Sequence, residues 1–227
     1  MTPPFVTPRP VILVITDSLG FPRATPEVVL YHETYIARLQ AAFPDYDVVH
    51  FGHGGATIEQ LFKYTSYYHQ TLQPDFCFIQ SGIVDCAPRA LTEIELQIVK
   101  RVPLLGNWIG KLVQRNARAI RKARKLYYTP FEKYSHYVRS FEETFERVYW
   151  ITMPMPAKEY EVITPGITDQ VVKYNRLLVE RNHISTEDFG RDDMMTDYHH
   201  LSISGHAKIF EKLRRIVGDA PFSDNLK

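Results

Sequence analysis

The chain has only two cysteines, Cys77 and Cys86, which is too few for a disulfide-built scaffold. Cys77 falls inside an apolar run, where a thiol acts as a small hydrophobe, and no activating pattern surrounds either residue. No stretch approaches the ~20 consecutive apolar residues needed to span a bilayer. The first ten residues, MTPPFVTPRP, lack a basic start followed by an apolar core, so they do not read as a signal peptide and the expected compartment is cytoplasmic. Charge of one sign is not in excess either. Lys and Arg total 27 against 26 Asp and Glu, a net charge of +1. A chain so balanced is not built as a whole for nucleic acid, and no nucleic-acid partner is expected. Internal repeats and low-complexity tracts are absent.

What is present is the composition of a globular protein: 227 residues, 44% hydrophobic and 23% charged. Residues 1–227 are read as a single domain. Val11 to Thr16 (VILVIT) is a short β-branched run of the kind buried on both faces of a parallel sheet. Pro26 to Phe43 has helical spacing. Tyr46 to Phe51, Phe76 to Gln80 and Arg147 to Thr152 read as further strands, and a weak fifth lies near Ile184 to Phe189. Thr57, with Gln60 three residues on, marks a helix start, and Ser202 to Val217 reads as a closing helix. Strands alternating with helices predict a three-layer α/β/α fold on a parallel, flavodoxin-like sheet of about five strands. The stretch between Gln80 and Arg147 is too long for one crossover, so a helical insertion is expected over residues 90–146. Within it, Lys111 to Tyr128 is strongly basic. Leu112, Ala119, Ala123 and Leu126 fall along one helical stripe. Arg115, Arg118, Arg121, Lys122, Arg124 and Lys125 occupy the rest. Such a run is either a solvated face or a docking site for an acidic partner: an anionic glycan, a membrane surface or a carrier protein.

Three short motifs follow predicted strands, where ligands sit in open α/β sheets. Asp17-Ser18-Leu19 follows the first. A serine there can aim its hydroxyl into the crevice, or simply cap a turn. Gly54-Gly55-Ala56-Thr57 follows the second, where glycine allows close backbone approach and a helix start offers N–H groups. Near the C-terminus stands Asp197-Tyr198-His199-His200-Leu201-Ser202, followed by Gly205-His206. An aspartate three residues before a histidine can bond the ring, fix its tautomer and leave the other nitrogen as a base. His199 and His206 read as plain surface histidines. A metal site is not expected, because neither helical His-x-x-x-His nor thiolate spacing is present.

Taken together, these motifs resemble the SGNH hydrolases, also called GDSL-like lipases and esterases. In that family the blocks Gly-Asp-Ser-Leu, an isolated glycine, Gly-x-Asn-Asp and Asp-x-x-His stand in this order. Here the first is Thr16-Asp17-Ser18-Leu19, with threonine for the leading glycine. The second is Gly55 and the fourth Asp197 to His200, and the likeness runs from Ile15 to Leu201. The third departs: in Gly82-Ile83-Val84-Asp85, Val84 stands where the family has an asparagine that helps hold the oxyanion, and valine has no donor. The run from Gly82 to Arg89 is similar to an SGNH subgroup associated with bacterial surface-polysaccharide gene clusters.

The resemblance implies Ser18 as nucleophile, His200 as general base and Asp197 as its orienting partner. It implies the Ser18 and Gly55 N–H groups as the oxyanion hole, with no cofactor and no metal. Asp17, Val84, Asp85 and Arg89 are candidate substrate contacts. Asp85 and Arg89 are alternatively an ion pair at the strand end, or Arg89 meets an anionic substrate group. The expected activity is hydrolysis or transfer of a small acyl group, first of all an acetyl ester on a sugar or polysaccharide. A lipid or acyl-thioester substrate is the alternative, and a weakly active or non-catalytic binding protein is the reading that Val84 favours.

Overall fold

The computed structural model describes residues 9–102 and 105–219. Five parallel strands form one sheet: β1 (Val11–Thr16), β2 (Asp47–Gly52), β3 (Phe76–Gln80), β4 (Val148–Ile151) and β5 (His183–Ile184). They lie in the order β2-β1-β3-β4-β5, the doubly wound arrangement. The apolar runs predicted as strands are buried because helices cover both faces. Successive side chains alternate between them: Leu13 and Ile15, with Cys77 and Ile79, enter one core, while Ile12 and Val14, with Phe76 and Phe78, enter the other.

On the second face lie α1 (Tyr35–Ala42) and α10 (Ile203–Gly218), which pack against each other. The first face is covered by α2 (Ile58–His69), α7 (Phe131–Thr144) and α9 (Ile167–Val179). Between β3 and α7 come α3 (Ile83–Cys86), α4 (Glu93–Arg101), α5 (Leu105–Arg115) and α6 (Ala117–Arg124). A short helix, α8 (Lys158–Ile163), precedes α9. No helix among the described residues is long and apolar enough to cross a membrane.

Three expectations change. The helix predicted from Pro26 starts only at Tyr35, because the Thr34 hydroxyl accepts the Ala37 N–H at 3.3 Å and caps it there. The fifth strand is shorter and earlier than expected. It ends at Ile184, and the Thr186 hydroxyl instead bonds that of Thr152 at 2.9 Å. The basic segment is two helices, broken at Asn116, whose side-chain amide donates to the Leu112 carbonyl at 2.8 Å. Its apolar stripe is not buried, since Leu112, Ala119 and Ala123 are exposed. The predicted start of α2 is as read: the Thr57 N–H donates to Gln60 Oε1 at 3.0 Å and the Thr57 hydroxyl accepts the Gln60 N–H at 3.4 Å.

Candidate active site

The site is assembled at the carboxyl end of the sheet. β1 ends at Thr16, whose carbonyl accepts the His53 N–H at 3.0 Å, tying the turns after β1 and β2 together. Asp17 then donates its N–H to the Gln80 carbonyl at 3.1 Å and accepts the Leu19 N–H on Oδ1 at 2.9 Å. These bonds fold Ser18–Gly20 into a single 3-10 turn that leaves Ser18 half-buried at the crevice.

Asp197 to Leu201 reaches the same place from the other end of the chain. The Met195 N–H donates to the His200 carbonyl at 2.8 Å, closing the loop, and the Ser202 hydroxyl caps α10 through the Gly205 N–H at 3.2 Å. Gly205 is obligatory here, because a Cβ would fall 2.2 Å from the Asp193 carbonyl oxygen. Tyr198, between Asp197 and the histidines, is held at φ 69°, a region that non-glycine residues rarely occupy. The outcome is a continuous relay. Ser18 Oγ lies 3.0 Å from His200 Nε2, and His200 Nδ1 lies 2.6 Å from Asp197 Oδ2. Asp197 Oδ1 also accepts the His200 N–H at 3.0 Å. Burial opposes the Asp197 charge, but the bonds from the His200 ring and backbone outweigh it and hold the carboxyl well below the usual range. An ionised Asp197 fixes the His200 proton on Nδ1 and leaves Nε2 to accept one from Ser18.

Gly55 is exposed, at φ 74°, in the turn before α2. Among the described residues neither its N–H nor that of Ser18 has an acceptor within the chain. Val84 lies in the single turn of α3 and packs into the core beside Ile83 and Met153.

Two of the candidate substrate contacts are corrected. Asp17 and Asp85 are fully buried and present no surface to a substrate. Asp85 instead accepts the Ile58 N–H on both carboxylate oxygens, at 3.0 and 3.2 Å, and so anchors the start of α2. Burial pushes its carboxyl up to about 6, and that of Asp17 up to about 7, where Asp85 adds like charge. Arg89 forms no ion pair with Asp85. Its guanidinium donates to the Val84 carbonyl at 2.8 Å and lies over the Tyr128 ring, 4.5 Å from the centroid.

His206 and His199 are not surface residues. His206 is buried behind α1, accepts the Tyr35 N–H at 3.4 Å, and burial pulls its pKa down to about 3. His199 is half-buried and stacks on Tyr160, with centroids 5.2 Å apart. Nothing in the sequence marks Tyr160, which sits on α8 far from any motif. Asp197, His199 and His200 place ligand-type atoms within 4.8 Å of one another. Both ring nitrogens of His200 are already used, by Ser18 and Asp197, so this donor set is arranged for proton transfer and does not fit a metal.

No family profile and no curated protein matches the chain. Solved structures do. A lipase/acylhydrolase from Enterococcus faecalis superposes with a TM-score of 0.64 at 14% identity, over 92% of this chain and 96% of that one. An acetylxylan esterase from Geobacillus stearothermophilus gives 0.58 at 16% identity, over 92% and 94%. An alpha/beta hydrolase enzyme from the metagenome of Lake Arreo, Spain, gives 0.57 at 16% identity, over 92% and 95%. At these identities the likeness is one of fold, and it extends along nearly the whole of each chain.

Proposed function

We propose that the protein is an SGNH-type serine esterase acting on a small acyl group, most directly an acetyl ester on a sugar or polysaccharide. The observation that carries this reading is the unbroken relay from Ser18 through His200 to Asp197. Ser18 Oγ attacks the ester carbonyl while its proton passes to His200 Nε2. The tetrahedral oxyanion is held by the Ser18 and Gly55 N–H groups. Collapse expels the alcohol, which takes the proton from His200, and leaves an acyl-enzyme. Water, or a second sugar hydroxyl, then gives its proton to His200 and attacks the acyl carbon; collapse breaks the bond to Ser18 Oγ, which takes that proton back from His200. Asp197 stays ionised and stabilises the histidine cation throughout.

Leu19 and His199, the chain neighbours of Ser18 and His200, line a cavity of only about 10 Å³ with Ile83, Met153, Tyr160 and Met194, room for about one water-sized group. This close packing around the relay, together with the fold shared with an acetylxylan esterase, supports acetyl over the longer chains of a lipid substrate. The test is an aryl-ester series of rising chain length with intact-mass detection of the acyl-enzyme. Acetyl turnover should exceed octanoyl turnover by about tenfold to a hundredfold, the ~1–3 kcal/mol that forcing extra methylenes into a packed site costs. Equal or greater turnover of the octanoyl ester contradicts the assignment.

A further inference from the structure

A second concavity is walled in part by α8, the helix whose Tyr160 stacks on His199. It encloses about 820 Å³, within the range of ligand sites, between α6 and the turn joining α8 to α9. Its wall carries Arg115, Arg118, Arg121, Lys122 and Lys125, against two carboxylates, Glu161 and Asp169. One of those two is already engaged. Glu161 accepts the Gly166 N–H at 2.6 Å and the Thr168 N–H and hydroxyl at 2.9 and 2.7 Å. Arg124, on the same helix, is the contrasting case: it makes two 2.8 Å bonds to Glu95 and is neutralised there. Among the described residues none of the five cleft cations forms an ion pair. Arg121 donates to the Ile163 carbonyl at 2.7 Å, while its buried Nε has no acceptor. Burial, with Arg89 adding like charge, lowers its pKa, so a further anion would relieve the crowding.

A solvated charged face would be convex and balanced by its neighbours. This one is concave, has an excess of unpaired cations, and shares α8 with the stack on His199. α8 gives Glu161 to the cleft and, one residue earlier, Tyr160 to the stack against His199. We propose that this cleft binds an anionic sugar unit, bearing a carboxylate or a phosphate, of the glycan whose ester is cleaved at Ser18. Tyr127, also on the cleft wall, offers a ring to the sugar face. The inference deepens the esterase reading by naming the charge class of its substrate.

The experiment measures binding, without turnover, on the full chain carrying Ser18→Ala. Titration calorimetry uses trigalacturonate, a hexose phosphate, neutral maltotriose and a glutamate tripeptide. Trigalacturonate or the hexose phosphate should bind, and maltotriose should be at least about tenfold weaker, which is 1.4 kcal/mol. Raising salt from low values to about 0.15 M should weaken the anionic ligands. Arg118→Gln, Lys122→Gln and Lys125→Gln together, all exposed, should cost about tenfold or more in that affinity. In the Ser18 protein the same three changes should leave turnover of a small neutral acetyl ester within about twofold. Equal binding of maltotriose, unchanged affinity in the triple variant, or glutamate binding as tightly as both sugar anions overturns the proposal. So does collapse of small-ester turnover, which would place the basic wall in the catalytic centre. Sugar-anion binding without any esterase activity would sink the esterase reading and leave the cleft standing.

Discussion

Asp197 grips His200 twice, through the ring Nδ1 at 2.6 Å and the backbone N–H at 3.0 Å. The first contact sets the tautomer and the second sets the loop, so the two are separable by mutation. Asp197→Asn keeps an oxygen for the backbone bond, but its amide no longer holds the proton on Nδ1. Ester turnover should fall by about 10²–10⁴, as for other triads with the wrong tautomer, with little change in the melting temperature. A variant that retains wild-type turnover would remove Asp197 from the mechanism.

Asp17 is buried directly before the proposed nucleophile, and the fold raises its pKa from 3.8 to about 7. Below about pH 4 both folded and unfolded states hold the proton and no penalty exists. As pH rises from there towards 7 the unfolded chain ionises first, so the Asp17 contribution to stability is progressively lost. Asp17→Asn carries no charge and its side-chain oxygen still meets the Leu19 N–H. It should therefore melt close to wild type near pH 4 and several degrees higher near pH 8, at about 2–4 °C per kcal/mol. A difference independent of pH would show that Asp17 is ionised across the range.

Val84 leaves the proposed oxyanion hole with two backbone donors. Removing one donor from such a hole typically costs about 10²–10³ in turnover, so slow hydrolysis of simple aryl acetates is expected. Val84→Asn should raise that turnover by about tenfold or more. An unsatisfied amide there would cost about 1–3 kcal/mol, so melts must accompany the kinetics. A folded variant with unchanged or lower turnover means that another group completes the hole.

The parts of this architecture legible in the sequence are those fixed by local chemistry. Val11 to Thr16 could hardly be anything but a buried strand, and its position placed Ser18 at the crevice. The spacing of Asp197 and His200 marked the relay partners because both lie on one short loop. What stayed hidden depends on contacts between distant segments. Asp85 reads as a pocket residue in the sequence, yet from α3 it caps the start of α2, a bond across 27 residues. His206 looked like a surface histidine, yet it is buried against the start of α1. The segment 111–128 showed its charge but not its shape, because the break at Asn116 and the packing on the α8–α9 turn create the cleft.

The proposed esterase mechanism requires that Ser18 be a nucleophile activated by His200. A fluorophosphonate probe reacts with such a serine and with few others, and intact-mass spectrometry counts the adducts. Wild type should gain one adduct, mapped to Ser18 by peptide sequencing. Ser18→Ala should gain none, and His200→Ala should label at least about a hundredfold more slowly. A folded wild-type protein that does not label, or one that labels equally after Ser18→Ala, would contradict the account.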